Sequence, residues 1–185
     1  MIEHNGKMYA RVSEILRPHT DFSHIDPEVL ANKARIGTET HKAIEEDIKG
    51  IFPSPPPECQ GYFDSFSKWK ERLSPSFEPS ETRFFCHEKM ICGQIDTLVK
   101  FPGENDLVLV DFKTSASESP KVWPMQAHLY HYLLMQNSIK VAFRYLFVKL
   151  DKYGQIPMVF QYGFSPSVRM DCMKAIDHFW KDSTK

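Results

Sequence analysis

Two carboxylates and a lysine carry the first chemical signal in this chain. They are Asp96, then Asp111 and Lys113 within Val110-Asp111-Phe112-Lys113-Thr114-Ser115. Asp111 and Lys113 end an apolar run that begins at Leu107. On a strand they leave the same face, about 6–7 Å apart along the backbone. Fourteen residues separate Asp96 from Asp111, and the middle of that interval, Phe101 to Asp106, reads as a turn between two strands. A hairpin symmetric about Gly103 and Glu104 sets Val99 against Val108, Leu98 against Leu109 and Asp96 against Asp111. Directly opposed residues hold their Cβ atoms about 5 Å apart, and like charges so placed repel. A divalent cation between the two acids relieves that repulsion. Carboxylate oxygens suit Mg2+ or Mn2+, and Lys113 would stand where it can orient or deprotonate a water. The layout suits metal-assisted hydrolysis of a phosphodiester. The bland alternative, a solvent-exposed Asp–Lys pair, sits poorly at the end of so apolar a run.

Two further groups share helical spacing. Gly37, His41 and Glu45 fall at steps of four, on one face of a helix. Glycine inside a helix costs about 1 kcal/mol relative to alanine, which points to a close approach at Gly37. His41 can offer an imidazole to a cation, and Glu45 can hold an outer water or the His41 ring. Gln126 and Tyr130, also four apart, can hydrogen-bond a phosphate, stack on a base, or orient Lys113. By itself a His/Glu pair is more often a surface hydrogen bond, and Gln with Tyr on a helix more often a boundary pair.

The elements that must position these groups follow from periodicity and breakers. Tyr9 to Leu16 reads as a short strand or an extended lead into a helical turn stopped by Pro18. Asp26-Pro27-Glu28 is a helix start, with Asp as N-cap, Pro at the first position and an acid in the first turn. That helix runs to about Lys49, with Leu30, Ala34, Gly37, His41, Ile44 and Ile48 along one face. Pro53 to Pro57 is an extended loop. A second helix covers 59–73, and a loop from Ser74 to Ser80 follows. Strands are expected over Arg83–Ile91, Gly93–Phe101 and Leu107–Lys113. A helix over Val122–Gln136, strands over Val141–Leu150 and Met158–Tyr162, and a last helix opened by Ser165-Pro166 complete the chain. This order predicts an α/β fold in one domain, 1–185, with a central mixed sheet flanked by helices.

Composition narrows the class. With 185 residues, 42% hydrophobic and 25% charged, the chain has the make-up of a water-soluble globular domain. No apolar stretch approaches the roughly 20 residues of a membrane span, and Met1 to Lys7 lacks a signal-peptide apolar region, so no membrane and a cytoplasmic location are expected. The four cysteines, Cys59, Cys86, Cys92 and Cys172, form no C-x-x-C pair, so reduced thiols are expected. A net charge of −1 argues neither for nor against nucleic acid. Lys140, Arg144, Lys149 and Lys152 make a modest basic stretch, readable as a solvated strand face or as a phosphate track.

Taken in order, Gly37-x-x-x-His41, Gly93-x-x-Asp96, Asp111-x-Lys113-Thr114-Ser115 and Gln126-x-x-x-Tyr130 resemble the RecB-like branch of the PD-(D/E)XK nuclease superfamily. Arg11-Val12-Ser13-Glu14-Ile15-Leu16 is similar to the N-terminal element of its stand-alone phage and mitochondrial exonucleases. The resemblance implies a restriction-endonuclease-like core binding Mg2+ or Mn2+. His41, Asp96, Asp111 and the Phe112 carbonyl would be the ligands, and Lys113 would act on the attacking water, with Glu45 nearby. Gln126 and Tyr130 would support Lys113 and, with Thr114 and Ser115, the DNA. Some relatives carry four cysteines around an iron–sulfur cluster. The cysteines here are placed differently, so no cluster is expected. The implied activity is a DNA exonuclease on single-stranded or recessed ends in recombination or repair, with a helicase or single-strand-binding protein supplying any unwinding. A non-catalytic nucleic-acid-binding module with the same fold is the competing reading. A small-substrate metal hydrolase is disfavoured, because H-E-x-x-H is absent.

Overall fold

The computed structural model describes residues 1–78 and 83–183. The end of the expected Ser74–Ser80 loop therefore lies outside the described residues. The chain opens with strands β1 (Ile2–His4) and β2 (Lys7–Arg11), helix α1 (Val12–Leu16) and a single 3₁₀ turn, Arg17–His19. Pro18 is accommodated inside that turn and does not end the element abruptly. Helix α2 (Pro27–Ile48) begins where the sequence signals it, with the Asp26 carboxylate accepting the Glu28 and Val29 amides at 2.8 and 3.3 Å. Helix α3 (Pro57–Leu73) starts two residues ahead of expectation. Pro57 ends the extended loop by taking the first helical position, where its missing N–H costs nothing.

The strand expected over Arg83–Ile91 is two strands, β4 (Arg83–Cys86) and β5 (Ile91–Gln94), joined by a tight turn in which Met90 takes a positive φ of 51°. The strand expected over Gly93–Phe101 is also divided. Gly93 and Gln94 belong to β5, and β6 (Thr97–Lys100) resumes after Ile95 and Asp96. The break moves the chain from one sheet to another. A four-stranded sheet has the order β1-β2-β5-β4. The second sheet has the order β3 (Ser76–Phe77), β6, β7 (Val108–Lys113), β8 (Arg144–Lys149), β9 (Met158–Gly163). The single mixed sheet expected from the sequence is thus two mixed sheets. Helices α4 (Val122–Gln136) and α5 (Pro166–Ser183) complete the fold.

The β6–β7 hairpin has the register expected from its turn, with Leu98 opposite Leu109 and Val99 opposite Val108. Strand β7 then pairs in parallel with β8, placing Lys113 across from Lys149. Both faces of these strands are covered, which explains why Tyr145, Leu146, Phe147 and Val148 are all buried. On one face, Leu98, Leu109, Tyr145 and Phe147 pack under α4, α1 and α5. On the other, Val99, Val108, Val110, Phe112 and Val148 meet α2 and α3 through Ile36, Ile44, Tyr62, Phe66 and Trp69. The buried stripe of α2 is Ile36, Thr40, Ala43 and Ile44. This is rotated from the face expected, so Ala34 is exposed, and Gly37 and His41 lie on the boundary between core and water. That rotation is what allows His41 to border a site. Among the described residues no helix is long and apolar enough to cross a membrane.

Candidate active site

Asp96 sits in the break between the two sheets. The last β6–β7 rung is Thr97 opposite Val110, and one further step places Asp96 across from Asp111. Because β6 has ended, the Asp96 side chain turns onto its neighbour and its Oδ2 accepts the Phe112 amide at 2.8 Å. A ladder residue presents N–H and C=O to the same edge, so the Phe112 carbonyl also leaves β7 on the side of Asp96. From α2, His41 Nδ1 approaches Asp96 Oδ2 at 3.2 Å.

Asp111 is buried, and its neighbours come from β7 and α4. Lys113 Nζ pairs with its Oδ1. Gln126 Nε2 donates to Asp111 Oδ2 at 3.1 Å and to the Tyr130 hydroxyl at 3.2 Å, while Gln126 Oε1 accepts Lys113 Nζ at 3.0 Å. Gln126 thus fixes the acid and the lysine together. Tyr130 is buried beneath it, a placement that fits support of Gln126 and Lys113 better than stacking on a base. Gly93 lets this happen. A Cβ there would meet Tyr130 Cε1 at 2.8 Å and Leu133 Cδ1 at 2.9 Å. At Gly37 a Cβ would stand 3.4 Å from Thr114 Oγ1, an ordinary contact, so this neighbour does not by itself require the glycine. Ser115 is exposed beyond, its hydroxyl donating to the Ser117 carbonyl at 3.0 Å. Glu45 pairs with Lys49 at 2.7 Å, and the His41 ring faces Asp96 instead.

The electrostatics divide the two acids. Burial pushes the Asp111 carboxyl up to about 6, aided by the Asp96 charge and opposed by Lys113 and His41. Burial works the same way on Asp96, but His41, Lys113 and the Phe112 amide outweigh it and hold that carboxyl below its usual range. Burial acts to lower His41, yet the Asp96 charge raises it overall. Burial, then the two acids, raises the Tyr130 phenol, so it stays neutral.

Whether these groups suit a cation can be judged from the donors. Asp111 Oδ1 is buried with an ion-pair neighbour but no donor in hydrogen-bond geometry. A cavity of about 60 Å³ lies beside Asp96, bounded also by His41, Glu45 and Phe112. Two carboxylates, a carbonyl and an imidazole are a donor set for a hard divalent ion. Among the described residues no three His, Cys, Asp or Glu side chains form a finished cage, because Asp111 is drawn to Lys113 and Gln126. The chemistry fits; the side chains stand in ion-pair poses. A groove of about 800 Å³ between α1 and α5, lined by Ile15, Met125 and Phe179, holds none of these groups.

Paired acids and a lysine, one acid just ahead of β6 and the other two groups on β7, set in a mixed sheet with helices on both faces, define the class as an α/β hydrolytic nuclease. Residues 56–169 match the PD-(D/E)XK nuclease superfamily, and the chain belongs to it. That match spans Asp96, Asp111, Lys113, Gln126 and Tyr130 and begins after His41 and Glu45. The fold is also similar to the alkaline exonuclease LHK-Exo of Laribacter hongkongensis. The TM-score is 0.52 at 8% identity, covering 94% of this chain and 87% of that one. The structure of LHK-Exo in complex with dAMP gives the same TM-score, 0.52, at 9% identity with the same coverage, 94% and 87%. No curated protein matches the chain.

Proposed function

We propose that this nuclease is a divalent-metal-dependent DNA exonuclease that hydrolyses phosphodiester bonds from single-stranded or recessed ends, in recombination or repair. The observation that carries the reading is the closed set around Asp111. A buried acid beside a second acid, with a lysine clamped by Gln126, has no evident use in the fold and a direct use in phosphodiester hydrolysis.

His41, Asp96, Asp111 and the Phe112 carbonyl would hold Mg2+ or Mn2+, which supplies charge neutralisation at the phosphate and a lowered water pKa. Lys113, fixed by Gln126 and Tyr130, orients the attacking water and faces the negative charge that develops on the phosphate. Glu45, at the cavity edge and paired with Lys49, would hold an outer water. Thr114 and Ser115, just past β7, offer hydroxyls to the strand. The structurally similar LHK-Exo is an alkaline exonuclease, and that likeness supports the choice of exonuclease over endonuclease.

The test compares end-labelled linear and circular single-stranded DNA with Mg2+ or Mn2+. Linear DNA should be degraded and circular DNA persist; equal rates would overturn the exonuclease assignment. Asp111→Ala and Lys113→Ala should each abolish cleavage in folded protein. Undiminished activity in either removes the mechanism.

A further inference from the structure

The basic stretch near Lys149 and Lys152 has a structural counterpart that the catalytic groups do not use. Strand β8 runs parallel to β7, so its C-terminal end lies at the same edge of the sheet as Lys113. Lys149 is the rung partner of Lys113, and the Leu150 amide donates to the Lys113 carbonyl at 2.8 Å. The β8–β9 turn therefore leaves the sheet one residue past the catalytic lysine's rung. Four residues span at most about 14 Å, so Tyr153 lies within a few nucleotides' reach of that lysine.

This turn is held with unusual firmness. The Asp151 Oδ1 accepts the Tyr153 and Gln155 amides at 2.8 and 3.2 Å, and Ser65 Oγ accepts the Asp151 amide at 3.0 Å. Lys68 Nζ donates to the Gly154 carbonyl at 2.5 Å. Gly154 takes a φ of +73°, a conformation suited to glycine. Below it, α3 approaches so closely that a Cβ at Gly61 would stand 1.9 Å from the Lys152 carbonyl oxygen. None of these braces uses the Tyr153 side chain. Tyr153 is 74% exposed, with Lys152 Nζ 4.6 Å from its ring centroid. Neither Lys149 nor Lys152 has an ion-pair partner among the described residues.

An exposed tyrosine is ordinarily incidental. Here the backbone is fixed from below while the exposed ring carries Lys152 against it, with Lys149 four residues back at the end of β8. Pre-fixed aromatic faces flanked by positive charge are how single strands are gripped without regard to sequence, because every base has a π-face. We infer that the β8–β9 turn is a docking platform for single-stranded DNA beside the nuclease centre. One base stacks on Tyr153, and neighbouring phosphates meet Lys149 and Lys152. This rests on the nuclease reading and adds to it a strand-holding site outside the catalytic groups.

The test measures binding of a single-stranded DNA oligonucleotide carrying 2-aminopurine, in EDTA so that no cleavage occurs. Tyr153→Ala should weaken binding about tenfold or more and remove the stacking-dependent quench, whereas Tyr153→Phe should retain both. Lys149→Ala and Lys152→Ala should each flatten the dependence of log K on log[salt] by about 0.7. Wild-type binding and quenching in Tyr153→Ala would overturn the platform, and the nuclease reading would survive if Asp111→Ala still abolished cleavage. A wild-type protein that neither binds nor cuts DNA would overturn both.

Discussion

At the scale of single residues, Gln126 is the group on which the site's geometry turns. Its amide spends one end on Lys113 and the other on Asp111 and Tyr130, which fixes both the flip state of the amide and the position of the lysine. Gln126→Leu keeps the volume and removes all three bonds, leaving Asp111 Oδ2 without that donor and Lys113 free to swing. Supporting residues of this kind typically matter about 10–100-fold, so kcat/KM should fall by that range and Mn2+ binding by calorimetry should weaken. Unchanged values in both measurements would show that Lys113 needs no such support. The pairing was legible in the sequence as a spacing of four, but not its direction. Gln126 and Tyr130 could equally have faced a phosphate, and only the tertiary contact with β7 decides that they face Asp111. Glu45 shows the converse: its spacing from His41 is right, yet a lysine one turn further on takes its carboxylate.

At the scale of elements, the hairpin was the most readable part. A short glycine-bearing turn between two apolar runs leaves little freedom of register, so Leu98 and Leu109 are partners as the symmetry of the turn requires. The break at Ile95 and Asp96 was not readable, because which sheet a short strand joins is settled by distant partners and not by its own propensity. The glycines follow the same division. Gly93 was visible as part of a motif, but its reason is the ring of Tyr130, far along the chain. Gly61 carried no signal at all, since the carbonyl it admits belongs to the β8–β9 turn. Gly93→Ala should overpack this contact and destabilise the fold by about 1–3 kcal/mol in urea titrations. Its added methyl also pushes on the ring that holds Gln126, so activity should fall further than the loss of folded protein explains. A variant as stable and active as the parent would mean that α4 can withdraw from β5 at little cost.

At the scale of the whole molecule, the chain's charge is nearly balanced, and one stability lever with pH lies away from the nuclease centre. His131, one of two buried histidines on α4, accepts or donates at 3.1 Å to the Tyr145 hydroxyl and stacks on Phe143. Burial, then Arg169 and His128, pushes its imidazole down to about 4. Burial shifts His128 in the same direction. The fold therefore holds both rings neutral, while the unfolded chain takes up protons once pH drops below about 6.5. Stability contributed by His131 is fully present above that value and is lost progressively as pH falls toward 4. His131→Gln keeps a polar partner for Tyr145 but cannot titrate, so its urea stability should decline less steeply between pH 6.5 and 4 than that of the parent. The same acid limb in both proteins would assign the loss elsewhere. The groups facing His131 make that outcome informative. Arg169, lying over the Tyr132 ring, and His128 are the charges that oppose its protonation, and each lies on a helix that packs against the sheet face opposite α2 and α3. Acid should therefore loosen the α4–α5 side first, the side that carries Gln126, so that activity at low pH falls with the fold as well as with the acids of the site.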